Sequence, residues 1–181
     1  MLQSVNAIKS TPKYDGRVIR VSQDEVVLPN GTQALLEVVH HPGGAAAAAI
    51  DAGGRVCLLR QYRYVAGGWV WELPAGKLEP GEPPLATAQR ELVEEAGLKA
   101  RQWMSLGTVL SSPGVFSEVL HLFLATDLMP TAAAPEANEV LEVHWVPFPE
   151  ACERALSGEL RDAKTALGLL RAARQRGARL V

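Results

Sequence analysis

The segment from Gly76 to Leu98, GKLEPGEPPLATAQRELVEEAGL, constrains this chain more tightly than any other stretch of it. Its spacing is G-x5-E-x7-R-E-(apolar)-x-E-E-x-G-(apolar), with Gly76, Glu82, Arg90, Glu91, Glu94, Glu95 and Gly97 at the fixed positions. Pro83-Pro84 suits the first turn of a helix, where a missing N–H costs little, and Gly97 suits its stop. The segment therefore predicts a loop, a helix over 84–96, and a second loop. Leu85, Ala88, Leu92 and Ala96 recur at helical spacing as an apolar stripe. At about 100° per residue, Glu91, Glu94 and Glu95 fall together on the arc beside that stripe.

Carboxylates at i, i+3 and i+4 repel one another and weaken a helix unless positive charge sits among them. Arg90 relieves only part of that repulsion. A solvated surface face is the ordinary reading of three glutamates on a helix. The glycine-bearing loop ahead of these three argues for a metal site, because Gly76 lets a backbone carbonyl approach an ion closely. Hard oxygen ligands of this kind suit Mg²⁺, with Mn²⁺ as a substitute.

A chain of 181 residues, 48% of them hydrophobic, is long enough to bury a proper core. Its net charge of −2 predicts no nucleic-acid surface. The local basic cluster Arg171, Arg174, Arg176 and Arg179 reads as a solvated helix face and tail. Cys57 and Cys152 lack CxxC partners, which predicts reduced, inert thiols in a cytoplasmic protein. Residues 1–20 lack the apolar core of a signal peptide, and no apolar run reaches membrane-spanning length, so no membrane partner is expected.

Strand-like and helix-like segments alternate irregularly. Strands are predicted over 17–21, 25–28 and 34–40, the last two joined by Pro29-Asn30-Gly31. Ala45 to Ala49 could be helix by propensity. It is read as a strand, because Asp51-Ala52-Gly53-Gly54 makes a hairpin turn into a strand over 55–60. Further strands are predicted over 69–73, 106–110, 119–125 and 140–146, and further helices over 150–157 and 163–175. Strands with interspersed helices predict an α/β/α sandwich around a mixed sheet. Residues 1–42 form an N-terminal antiparallel strand extension, and 43–181 the main domain.

The Gly76–Leu98 pattern is the signature of the Nudix hydrolases, and this chain resembles them at every position of it. Seven fixed residues match by accident with a probability on the order of 10⁻⁸. Within that superfamily the chain is similar to the ADP-ribose pyrophosphatase branch. The segments that carry this are Arg60-Gln61-Tyr62-Arg63, Glu72-Leu73-Pro74-Ala75-Gly76-Lys77, and Ser112-Pro113-Gly114 with Ser117-Glu118. Pro113 stands 15 residues after Leu98, where that branch carries a marker proline. The resemblance covers roughly residues 14–175 and implies the Nudix fold.

The resemblance also implies roles. Glu91 and Glu95 become central metal ligands with the Ala75 carbonyl beside them, and Glu82 and Glu94 hold further ions or the shell. Arg90 orients the glutamates, since an arginine fork fixes carboxylate geometry. The general base is expected on the loop before the last core strand, with Glu139 chosen over Glu136 and Glu142. Arg63 and Arg60 are candidate contacts to a diphosphate or ribose. Glu118 is a further substrate contact, and Trp71 or Trp69 a surface on which a base could stack. Strand alternation puts both tryptophans on one face, so both also fit a core or dimer contact.

The expected reaction is Mg²⁺-dependent hydrolysis of ADP-ribose to AMP and ribose 5-phosphate. GDP-mannose or another nucleotide sugar or dinucleotide is the alternative. A non-catalytic ADP-ribose sensor is a third, disfavoured because the four box glutamates are all present. Residues 14–40 have too few apolar positions to form a core alone, and a homodimer is expected.

Overall fold

An unbroken run of alanines, the strongest helix formers, makes a central strand of this protein. The computed structural model describes residues 7–135 and 139–177. Along the chain lie β1 (Lys9–Asp15), β2 (Arg20–Val27), β3 (Gln33–His40), β4 (Gly44–Ala49), β5 (Arg55–Arg63), β6 (Gly68–Glu72) and β7 (Ala75–Lys77). Then come α1 (Pro84–Ala96), β8 (Leu98–Leu110), β9 (Val119–Pro130), β10 (Leu141–Pro147), α2 (Phe148–Leu156) and α3 (Ala163–Gln175). A short 3-10 turn over Tyr64–Ala66 joins β5 to β6.

The chain divides into two units. One takes the described residues up to Gly43 together with Leu110–Val119. It is built on the antiparallel sheet β1-β2-β3, to which Val39 adds a bridge with Phe116. The strands predicted over 17–21 and 25–28 are one continuous strand, β2. Its polar middle is accommodated by neighbours: Ser22 Oγ meets His40 Nε2 at 2.7 Å, and Asp24 accepts from Ser10 at 2.6 Å. Sequence reading missed β1 because Pro12 breaks its pattern. Proline is tolerated on an edge strand, and the register shifts between Pro12 and Tyr14.

The second unit, Gly44–Val109 with Leu120–Val181, holds two sheets. One is mixed, in the order β7-β4-β9-β8, with β4 parallel to β9 and antiparallel to β7. The other, β10-β5-β6, is antiparallel. The turn expected at 51–54 forms, with Gly54 N–H donating to the Asp51 carbonyl. It is not a full hairpin, however. A single bridge, Ile50 to Val56, precedes the parting of β4 and β5 into different sheets.

Two cores result. Ala46, Ala48 and Ile50 join Leu58, Leu122, Leu124 and residues of α2 and α3 in one. Ala49, Cys57, Leu98 and Ala125 join Leu92 of α1 in the other. Helices thus cover both sides of the strands, an α/β/α sandwich. Every residue of β4 is buried. Alanine side chains keep such a doubly covered strand thin, and this packing overrides their helix propensity.

The helix predicted over 84–96 forms with those bounds, as does that over 163–175. The one predicted from 150 starts at Phe148, with Pro149 inside its first turn, a position that tolerates a missing N–H. No described helix is long and apolar enough to cross a membrane. Burial pushes the Cys57 thiol to about 12 and the Cys152 thiol to about 11, so both stay protonated at neutral pH.

Candidate active site

β7 and α1 build the site. β7 pins the loop ahead of the helix by pairing Ala46 with Ala75, Ala45 with Gly76 and Gly44 with Lys77. A Cβ at Gly76 would meet the Glu91 carboxylate, so any side chain here would have to displace that group. At the other end Gly97 ends α1 at φ 62°, its N–H reaching the carbonyls of Leu92 and Val93. The buried face of α1 differs from the predicted stripe. Leu85 is exposed, while Thr87, Glu91 and Glu95 are buried beside Ala88 and Leu92.

Arg90 is the hub of the acids. Its Nη1 donates to Glu91 Oε1 at 2.7 Å and to Glu94 Oε2 at 2.9 Å. Nε and Nη2 grip the two oxygens of Glu82 at 3.1 Å each, and Nη2 also reaches the Lys77 carbonyl. With a further bond from Thr87 Oγ1, Arg90 holds the Glu82 carboxyl down to about 2.

Glu95 stands apart from that hub. It is 2% exposed, and the Ala75 N–H donates to its Oε2 at 2.8 Å. Burial pushes its carboxyl up to about 8, against that bond and with added repulsion from Glu91 and Glu139. Glu91 is raised too, chiefly by burial, with Arg90 opposing and Glu94 and Glu139 adding to it. Glu139 therefore lies close enough for both acids to feel its charge. Glu142 points elsewhere, 3.6 Å from Arg60 and 3.2 Å from His144. Glu136 falls outside the described residues.

The strand register separates the remaining candidates, because directly paired residues share a face. Leu59 pairs with Glu72 and Gln61 with Val70, so Gln61, Arg63 and Glu72 share one face. Arg60 pairs with Trp71 and Tyr62 with Trp69 on the opposite face. Arg60 lies over the Trp69 ring at 5.1 Å. Trp71 packs against the core, with Arg154 over its ring at 4.8 Å and His144 at its edge. A cavity of about 540 Å³ runs along β6, the edge strand of its sheet. Arg63, Trp69, Trp71, Glu72, Arg161 and Lys164 line it, whereas Arg60 does not. Glu118 belongs to the first unit, where its Oε1 lies 3.2 Å from His41 Nδ1.

Sequence reasoning missed a buried ion cluster beside Arg63. Arg63 Nε and Nη2 grip Glu72 at 2.7 and 2.9 Å. Lys164 Nζ donates to Glu72 Oε2 at 2.5 Å and to Asp162 at 3.0 Å. Burial alone would raise Glu72, but the bonds and charges of Arg63 and Lys164 hold it below the usual carboxylate range. One sequence signal was present: a lysine in the first turn of a helix opposes the dipole, so it needs a partner elsewhere. Gln61 was missed as well. It is 3% exposed, and its Oε1 is buried without a hydrogen-bond partner among the described residues.

The acids fit a hard cation. Glu82, Glu91, Glu94, Glu95 and Glu139 crowd a region where Arg90 bonds only the first three. Glu95 is left buried with a backbone N–H and repelling acids around it, the electrostatic setting a divalent ion relieves. Among the described residues no three acid, histidine or cysteine groups are already gathered as a ligand set. An ion taking Glu91 Oε1 would therefore compete with Arg90 for it.

A family model described as the NUDIX domain matches residues 40–167. Over 167 residues the chain is 38% identical to ADP-ribose pyrophosphatase of Mycobacterium tuberculosis, covering 90% of this chain and 80% of that protein. It is 32% identical over 164 residues to GDP-mannose pyrophosphatase of Klebsiella pneumoniae, covering 86% of this chain and 76% of that one. A solved structure described as an ADP compounds hydrolase has the same fold, with a TM-score of 0.74 over 98% of each chain at 22% identity.

Proposed function

This chain belongs to the Nudix family and is a Nudix pyrophosphohydrolase, and we propose that it cleaves ADP-ribose to AMP and ribose 5-phosphate with Mg²⁺. The observation that carries this reading is the pair of buried, mutually repelling acids Glu91 and Glu95, with the Arg63 guanidinium near enough to act on Glu95. Glu91, Glu95 and the Ala75 carbonyl would hold the ion, with Glu82 and Glu94 serving further ions or the shell. When bound, Mg²⁺ supplies charge neutralisation on the phosphate oxygens and a more acidic coordinated water.

The protein's own groups do the rest. Glu139 accepts the proton of the attacking water as the water oxygen bonds to phosphorus and the P–O bond to the leaving phosphate breaks. Arg90 holds the box carboxylates in register through its fork. Arg63 binds the diphosphate, and Trp71 or Trp69 walls the cavity against which a base can lie. Similarity to the Klebsiella enzyme favours GDP-mannose as the second reading. The first unit exposes Ile8, Tyr14, Leu35 and Leu36, an apolar set that supports a homodimer. Size-exclusion chromatography with light scattering tests that arrangement, and a monomeric mass would remove it.

The substrate is tested with a panel of ADP-ribose, GDP-mannose, NADH, diadenosine polyphosphates, coenzyme A and 8-oxo-dGTP, each with Mg²⁺ and with chelator. The highest kcat/KM is expected for ADP-ribose, lost with chelator. GDP-mannose in the lead would replace the substrate, and no turnover of any compound would remove the hydrolase reading.

A further inference from the structure

Lys164 occupies the first turn of α3, where the helix dipole disfavours a cation, yet its side chain is only 13% exposed. Its neighbours hold it firmly. Asp162 caps α3 by accepting from Thr165 N–H at 3.0 Å and Thr165 Oγ1 at 2.5 Å. Thr165 Oγ1 in turn accepts from the Leu73 N–H at 2.7 Å, tying the start of α3 to the residue after Glu72. Lys164 then bridges Asp162 and Glu72. At the far side Glu72 takes Nε and Nη2 of Arg63, which fixes the plane of that guanidinium.

An Arg63–Glu72 pair alone would already balance its charge. Burying a second pair, Lys164 with Asp162, adds desolvation that apolar side chains would avoid. What the second pair adds is orientation: Glu72 Oε2 is shared between Arg63 and Lys164, so the carboxylate cannot swing about its own axis.

We propose that Lys164 is a positioning residue for substrate binding, which through Glu72 fixes the Arg63 guanidinium for the diphosphate. This rests on the reading that Arg63 contacts the diphosphate.

The test is steady-state kinetics with ADP-ribose and Mg²⁺ for wild type, R63A, K164M, K164R and the double variant R63A/K164M. A charge-assisted bond to substrate corresponds to roughly a tenfold change. K164M is therefore expected to raise KM roughly tenfold with little change in kcat, and K164R to recover most of that loss. In the R63A background K164M should add nothing, since the residue acts through Arg63. An equal rise in KM with and without Arg63, or no rise in KM for K164M, would overturn the proposal. An unchanged KM for R63A would instead overturn the reading of Arg63, and the proposal with it. If K164M does not fold, K164L removes the bond to Glu72 with a different apolar side chain. The same comparison then applies to it, with the same outcomes.

Discussion

Two glutamates in this protein are almost equally buried, and the structure treats them in opposite ways. Glu72 is 3% exposed and Glu95 is 2% exposed. Glu72 has two cations of the chain on its oxygens and is held below the usual range. Glu95 has a backbone N–H and acidic neighbours, and its carboxyl rises to about 8. Burial is the same in both cases, so the partner decides the outcome. The chain places its own cations at the β6–α3 junction, and leaves repelling acids on α1, the proposed divalent-cation site.

The largest expected effect breaks the comparison directly. Glu72→Gln takes a buried charge from between Lys164, which keeps Asp162, and the part-exposed Arg63, and should cost about 1–3 kcal/mol of stability in denaturant unfolding. Glu95→Gln should do the reverse in metal-free protein at pH 8, raising stability by removing an uncompensated charge. The same variant should lose roughly 10²–10³-fold in kcat with Mg²⁺. Destabilisation by both variants in metal-free buffer would end the contrast.

Next comes Glu139→Gln, expected to lower kcat about 10²-fold with little change in KM. Glu142→Gln, paired with Arg60 and His144, should leave both nearly unchanged. Equal losses for the two would move the base elsewhere.

A smaller effect is the dependence of stability on pH. Between its ordinary 4.5 and about 8, Glu95 keeps a proton in the folded protein that the unfolded chain has lost. Stability of the metal-free protein should therefore fall as pH rises through that window. Glu72 acts the other way: its contribution is complete above 4.5 and is lost as pH falls further. Melting curves from pH 2 to 9 check both, and Glu95→Gln should flatten the upper part. Smallest is Asp162→Ala, which removes the cap of α3 and one partner of Lys164, at about 0.5–2 kcal/mol.

Much of the α1 side was legible in the sequence, and little of the β6–α3 side. Pro84 and Gly97 mark the ends of α1 by local backbone chemistry, and Gly76 records the close approach of the Glu91 carboxylate. Hydrophobic periodicity placed the apolar arc but could not say which neighbouring acids go inside, so Leu85 proved exposed and Glu91 and Glu95 buried. Alternation correctly put Trp69 and Trp71 on one face. The same parity separates Arg60 from Arg63, which the motif had grouped. Lys164 and Glu72 meet across 92 residues, and no local pattern encodes such a contact. β1 and the continuous β2 were lost for a related reason: Pro12 and the polar middle of β2 are tolerable only because of strand partners.

The most direct test of the account is the melting temperature at pH 8 across a Mg²⁺ titration, for wild type and Glu95→Gln together. Binding to the folded state alone raises stability by RT ln(1 + [Mg²⁺]/Kd). A saturable rise is expected for wild type, and Glu95→Gln should abolish it. An equal rise in both proteins, or none in wild type, would contradict the reading of the α1 acids as a divalent-cation site.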